Sequence, residues 1–378
     1  MEKRILIAPN SFKECADSVT IAELIRENLC QLTYYDLIVK PISDGGDGFL
    51  KVCKQCFGGE IRFYSISTAY DENKFSCPVL YCQSRNEIYI ESAEILGLKV
   101  VPKQLRNPLE LSSKGLGELL FKINEEVTNE AIKIDKVYVG IGGTATIDMG
   151  IGMMSKLGLR LFDEGTNELN VLPKNYFKVA DVIFVPIQFS FEIVPVIDVN
   201  NPLLGEYNGI QTYGPQKGAN ENSIILLMNY FNHLINLLEN KKLSISSQSL
   251  SGAGGGIPAS LQIFYNTPLY SSQDFILQDI GLKSLTDEVD YLITGEGSFN
   301  HQSNFGKGAG ILIDLFKSSV KKIFLVCGYI DSSVKSKLPD NVIPIELNKY
   351  FNSETESIMK YKDGIRRACD EIINQVDF

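Results

Sequence analysis

Histidine is nearly missing from this chain. Only His233 and His301 occur among 378 residues, so nucleophilic catalysis built on histidine has poor support. The same scarcity denies the lone Cys53-x-x-Cys56 pair the two further ligands that a zinc site needs. The eight cysteines are scattered, mostly inside apolar or helical patterns, and read as reduced thiols of a cytoplasmic protein. No apolar run approaches the roughly 18 residues of a membrane span. The run Ile5-Leu6-Ile7-Ala8-Pro9 behind Met1 is too short for a signal peptide. Net charge is −10 and no basic stretch is interleaved with aromatics, which argues against nucleic acid or an anionic membrane as partner. The GxxxxGK motif of Walker-type NTPases is absent, as are protein-kinase signatures. The loop after the first strand carries no glycine before its helix, so the nicotinamide dehydrogenase fingerprint is missing too.

What is present is a globular composition, 44% hydrophobic and 22% charged, long enough for two domains. The continuously apolar Arg4 to Ala8 predicts a strand buried on both faces. A helix from Asp17 or Ser18 to Leu32 follows, then a strand over Asp36 to Lys40 and a helix over Phe49 to Cys56. The last third resumes this rhythm, with strands at 289–293, 322–327 and 342–346, a helix over 306–317 and a capped helix from Ser353 to Asn374. Two strands at the start and three at the end predict an α/β fold: a flavodoxin-like parallel-sheet domain, interrupted by an inserted mixed α/β domain. The expected division is 1–60 plus 285–378 for the first domain and 61–284 for the second. Within the insertion, 61–69, 77–82 and 87–91 read as a strand meander. A helix at 112–126 and a strand at 136–141 come next, then a strand at 191–197 and a helix at 223–238.

Glycine gathers in loops at the carboxyl ends of strands, where open α/β sheets bind ligands. Gly140-Ile141-Gly142-Gly143-Thr144-Ala145-Thr146 suits either an anion cradle or a tight turn that needs glycine sterically. Asp148, just beyond, can cap the next helix or face a metal. Ser43-Asp44-Gly45-Gly46-Asp47-Gly48 offers two carboxylates that can hold Mg²⁺ or accept a hydroxyl proton, or a turn in which Asp47 caps a helix. Thr294-Gly295-Glu296-Gly297 is expected as a loop directly after its strand. Lys307 stands at a helix start, where a cation opposes the dipole and a bound phosphate would supply the missing charge. Tyr213 to Ala219 presents Lys217 to a carboxylate or phosphate. Ser251 to Gly256 is either another backbone cradle or a plain connection. Glycine loops joined to carboxylates and lysines fit phosphoryl transfer, which depends on positioning and charge neutralisation.

Taken together, these segments resemble the bacterial type I glycerate kinase family over nearly the whole chain. The matching pieces are APNSFK (8–13), SDGGDG (43–48), ESAEILGL (91–98), RNPLELSSKGLGEL (106–119), GIGGTATIDMG (140–150), DVNNPLLG (198–205), YGPQKGA (213–219), SGAGGGI (251–257) and TGEG with GKG (294–297, 306–308). The resemblance implies phosphorylation of D-glycerate by ATP with Mg²⁺, usually at the 2-hydroxyl, on two domains flanking a cleft. The motifs do not themselves assign roles; for an active kinase the chemistry of these residues makes Asp44, Asp47 and Lys13 the catalytic candidates. Gly142, Gly143, Thr144, Gly295, Glu296 and Lys307 fall to nucleotide and phosphate, and Ser11, Asp198, Asn201 and Lys217 to the hydroxy acid. Asp44 and Asp148 are the metal candidates. The chain departs from the family pattern at Asn10, Glu14, Ile147, Met149 and Ser298-Phe299-Asn300, where an amide replaces a carboxylate. Those departures motivate an alternative, a catalytically impaired paralogue that senses nucleotide or hydroxy acid.

Overall fold

A computed structural model describes residues 3–13, 15–243, 250–301 and 308–376. Glu14, Gly306 and Lys307 lie outside the described residues. The chain divides into two compact units, one of residues 1–44, 51–58 and 272–378, the other of 45–50 and 59–271. Strands are numbered β1 to β13 along the chain.

In the first unit, β1 (Lys3–Ile7), β2 (Tyr35–Val39), β11 (Tyr291–Phe299), β12 (Lys322–Ile330) and β13 (Val342–Glu346) form one sheet. Its order is β13-β12-β11-β1-β2 and every pairing is parallel. This is the flavodoxin-like arrangement, with the second unit inserted between β2 and β11. Ile5, Leu6 and Ile7 are wholly buried, as a central parallel strand covered on both faces requires. The helix Ser18–Asn28 opens on Asp17, whose carboxylate accepts the Thr20 N–H at 2.9 Å. It buries Ile21, Ala22 and Ile25, ends four residues earlier than its apolar pattern predicts, and leaves Leu29 and Leu32 packed in the turn beyond.

Two readings of this unit need correction. Thr294 to Gly297 is not a loop, because β11 runs through it to Phe299 and pairs with β12 as far as Ile330. Glycine suits that stretch for a steric reason: a Cβ on Gly295 would sit 1.6 Å from the Val326 carbonyl oxygen. The last helix is two helices, Glu354–Met359 and Tyr361–Ile373, because Lys360 leaves the helical region (φ −104°, ψ 24°). The break turns Ile365, Ala368, Cys369 and Ile372 into the core.

The second unit holds a six-stranded sheet of order β10-β9-β6-β5-β4-β3. The antiparallel edge β3 (Glu60–Ser67) and β4 (Lys74–Cys82) leads into β5 (Glu87–Glu91). From there β5, β6 (Lys136–Ile141), β9 (Glu192–Ile197) and β10 (Tyr270–Ser271) run parallel. The helices Lys114–Thr128, Glu221–Asn240 and Ile257–Tyr265 contribute to an extensive apolar core of this unit. A hairpin of β7 (Leu159–Phe162) and β8 (Asp181–Phe184) is an addition to the expected elements, and the helix Ile257–Tyr265 follows the glycine run 251–256. Parallel pairing aligns the carboxyl ends of β5, β6 and β9, and the loops richest in glycine leave from there.

Candidate active site

In the second unit, segments distant in sequence meet on the loop that follows β6. The Ser92 hydroxyl and amide both donate to the Gly140 carbonyl, at 2.7 and 3.1 Å. Leu98 N–H donates to Gly143 O and Ala145 N–H to Leu96 O. A Cβ on Gly142 would stand 2.6 Å from Gly46 Cα, so the backbones of the two loops approach closely and Gly142 tolerates no side chain. From the other side Met149 N–H donates to Gly255 O at 3.0 Å. A Cβ on Gly255 (φ +73°) would meet the Thr146 carbonyl oxygen at 2.0 Å. Residues 251–256 therefore brace the loop rather than open a second cradle. Gly142 is half-buried and Gly143 exposed, with Thr144 buried behind them.

Asp47 stands beside this tip. Its Oδ1 is 3.6 Å from where a Gly143 Cβ would be, its side chain is 48% exposed, and Lys99 Nζ pairs with it at 2.9 Å. Lys99 was not singled out by sequence; its place directly behind the 91–98 motif was the signal available. Glu91, at the end of β5, accepts Gly48 N–H at 2.9 Å and Leu50 N–H at 3.0 Å, one on each carboxylate oxygen. It thereby holds the start of the helix Phe49–Phe57. Burial raises its pKa to about 7, with Glu94 and Asp47 adding to the rise and the two amides opposing it.

Lys217 is 5% exposed. Its Nζ donates to Thr144 Oγ1 and to Thr146 O, each at 3.0 Å. Burial lowers its pKa to about 7, and the charge of Asp148 pulls in the opposite direction. Asp148 is fully buried. Its oxygens accept from Ser113 N–H and Ser113 Oγ, both at 2.7 Å, Gly150 N–H at 3.1 Å and Gly152 N–H at 3.2 Å. Burial pushes its pKa up against those donors. The geometry is that of a cap, which ties the starts of the helices Ile151–Lys156 and Lys114–Thr128 together. Asp198 follows β9 half-buried; burial raises the pKa of the Tyr213 phenol, and the Asp198 charge adds to the rise. The Asn201 amide donates to Tyr207 O at 2.7 Å and its carbonyl accepts from Tyr213 Oη at 2.9 Å, so it organises its own loop.

In the first unit, candidates gather at the carboxyl ends of β1 and β11, where the strand order reverses and such sheets bind ligands. Asn10 N–H donates to Gly295 O at 2.8 Å, and Thr294 Oγ1 to Ala8 O at 2.8 Å. A Gly297 Cβ would lie 3.1 Å from Lys13 N. Ser11 is half-buried and Lys13 exposed on this loop. The chain from β2 joins it through Ile42 N–H to Pro9 O at 3.0 Å, two residues before the half-buried Asp44. Glu296 Oε2 is 2.8 Å from a notional Gly308 Cβ. Asn300 follows the last residue of β11, half-buried.

The model of the glycerate kinase family matches residues 5–377. The chain belongs to that family. It is 31% identical over 311 residues to the glycerate kinase of Halalkalibacterium halodurans, covering 80% of this chain and 79% of that one. The glycerate 2-kinase of Escherichia coli K12 is 29% identical over 338 residues, covering 88% and 86%. A crystal structure of a Salmonella typhimurium LT2 chain named for glycerate kinase 2 superposes over 99% of both chains with a TM-score of 0.79. At 24% identity that likeness shows the fold. Among the described residues no helix is long and apolar enough to cross a membrane, and no three His, Cys, Asp or Glu side chains cluster as metal ligands.

Proposed function

We propose that the protein transfers the γ-phosphoryl group of ATP, with Mg²⁺, to the 2-hydroxyl of D-glycerate, giving 2-phosphoglycerate in the cytoplasm. One observation carries the reading: the exposed Asp47 carboxylate stands against an accessible glycine turn at the carboxyl ends of parallel strands. A carboxylate there takes the proton from an acceptor hydroxyl, while the Gly142–Gly143 turn lets phosphate oxygens approach the backbone. Thr144, Gly295, Glu296, Ser11 and Lys13 line the same kind of strand end, and Lys13 and Lys307 neutralise phosphate charge. Asp198 lies with the acceptor. Asn201 and Lys217 are committed to internal hydrogen bonds and serve the acid by shaping the loops around it.

Magnesium bound with ATP takes most ligands from phosphate and water and needs only one or two carboxylates. We assign that role to Asp44, half-buried on the loop beyond β2. Asp148 does not fit it, because both its oxygens are enclosed and already accept protein donors. When bound, the ion neutralises charge on the transferring phosphoryl group.

The test is ADP release over a panel of hydroxy acids, with ³¹P NMR locating the new phosphate ester. D-glycerate should turn over, 2-phosphoglycerate should accumulate, and EDTA should abolish both. Nucleotide binding without turnover on any acid would favour the sensor suggested by Asn300, Ile147 and Met149.

A further inference from the structure

We propose that Glu91 is a positioning residue for phosphoryl transfer: a carboxylate clamp that sets where Asp47 stands. The inference rests on the reading of Asp47 as the acceptor-side base. Glu91 ends β5 and is buried at 3% exposure. Its two oxygens are both spent on the backbone of the Asp47 loop, Gly48 N–H on one and Leu50 N–H on the other. These amides flank Phe49, the first residue of the helix Phe49–Phe57. A carboxylate accepting two amides fixes both the direction of the helix start and the rotation of the peptide that follows Asp47.

The next residue completes the device. Ser92 fastens its hydroxyl and its amide to Gly140 O, so one short stretch of chain holds the Asp47 loop and the glycine turn to a common support. Phosphoryl transfer is sensitive to placement, and a shift of about 1 Å costs on the order of 10²-fold. A residue that touches neither acid nor nucleotide can thus control turnover.

Three variants test this. Glu91→Gln keeps the size but turns an NH₂ toward one of the two amide donors. Glu91→Asp keeps the charge but falls about one methylene short of spanning both. Asp47→Asn removes the base itself. The expected result is that both Glu91 variants lower kcat by roughly 10- to 100-fold with the KM for ATP changed less than about threefold. Amide exchange in residues 45–50 should quicken at least about tenfold in both. The Glu91→Gln/Asp47→Asn double variant should be no slower than Asp47→Asn alone.

If Glu91→Asp keeps wild-type turnover, charge rather than reach is what matters and the clamp is wrong. Faster exchange with normal turnover overturns the inference as well, and so does an additive loss in the double variant. Full activity in Asp47→Asn instead removes the base assignment itself, an outcome separable from failure at Glu91 alone. Should Glu91→Gln not fold, Glu91→Asp carries the same comparisons.

Discussion

Lys217 Nζ donates to Thr144 Oγ1 across 73 residues of sequence, at 3.0 Å and almost without solvent. A protonated lysine has no acceptor, so while Lys217 carries its charge Thr144 is the acceptor and its hydroxyl proton is left to turn toward another group. Replacing Lys217 by Met keeps the buried stem and removes the desolvated charge. Two oxygens then lose a donor, at a cost of about 1–3 kcal/mol each, offset by relief of the buried ammonium. Lys217→Met is therefore expected to shift stability only modestly while lowering kcat/KM on the order of 10²-fold, through a Thr144 no longer held in place. Thermal melts and steady-state kinetics on the same preparation decide it. A large fall in Tm with normal turnover per folded molecule would leave Lys217 a purely structural residue.

The same lysine sets a pH signature. Its pKa is about 7 in the fold against 10.5 in the unfolded chain. Between those values the unfolded state binds more protons, so this group makes the fold more stable as pH rises through 7. Above 9 the buried thiols Cys77 and Cys369, held up at about 12 from 9.0, begin to work the other way. Urea midpoints should thus climb from pH 7 to pH 9 in the wild type and stay flatter in Lys217→Met. Parallel slopes in the two proteins would show that Lys217 does not titrate there.

Much of the fold was legible because both sheets depend on local signals. Ile5 to Ile7, Val137 to Ile141 and Ile193 to Ile197 are short, mostly apolar runs, each preceded by a charged residue, and each lies in a strand. What was not legible depends on long-range contacts. Nothing near Thr294 announces that β12 will carry pairing through it to Phe299. Nothing near Gly255 shows that its missing side chain leaves room for Thr146 O, more than a hundred residues earlier. Of the site, the motif segments were readable but the division of labour was not. Lys217, Asn201 and Asp148 look like ligand-facing groups in sequence and turn inward in the structure, whereas Glu91 and Lys99 acquire their partners only when β5 meets the Asp47 loop.

Glu91 should separate stability from activity. Its pKa is about 7 in the fold and 4.5 unfolded, so the folded state holds the extra proton. This group's contribution is fully present below about 4.5 and is lost as pH rises through 7. Protonation, however, weakens one of the two acceptors that hold Gly48 and Leu50. Between pH 7 and 5 urea midpoints should rise as kcat falls, opposite trends from one proton. Glu91→Gln should flatten both. A wild type in which both quantities fall together would place the titration elsewhere.

Met149 offers a stability test whose order reverses the usual one. It is buried at 0% exposure with φ +57°, the left-handed region where a side chain costs roughly 1–2 kcal/mol. Met149→Ala keeps that strain and deletes a buried side chain, at a cost of about 2–5 kcal/mol. Met149→Gly deletes slightly more but relieves the strain, and gives back only part of that gain as unfolded-chain entropy, roughly 0.5–1 kcal/mol. Both variants should be less stable than wild type, with Gly the milder by up to about 1 kcal/mol, against the normal preference for Ala. Denaturant midpoints at one pH measure the difference directly. Because Met149 N–H donates to Gly255 O and no side-chain atom is needed for that bond, kcat in Met149→Gly should stay within about threefold of wild type wherever the protein is folded. An Ala variant more stable than the Gly variant would mean that the backbone at 149 relaxes out of the left-handed region when the methionine is removed, and that the turn between Asp148 and Gly150 is held by the side chain rather than by the bracing loop.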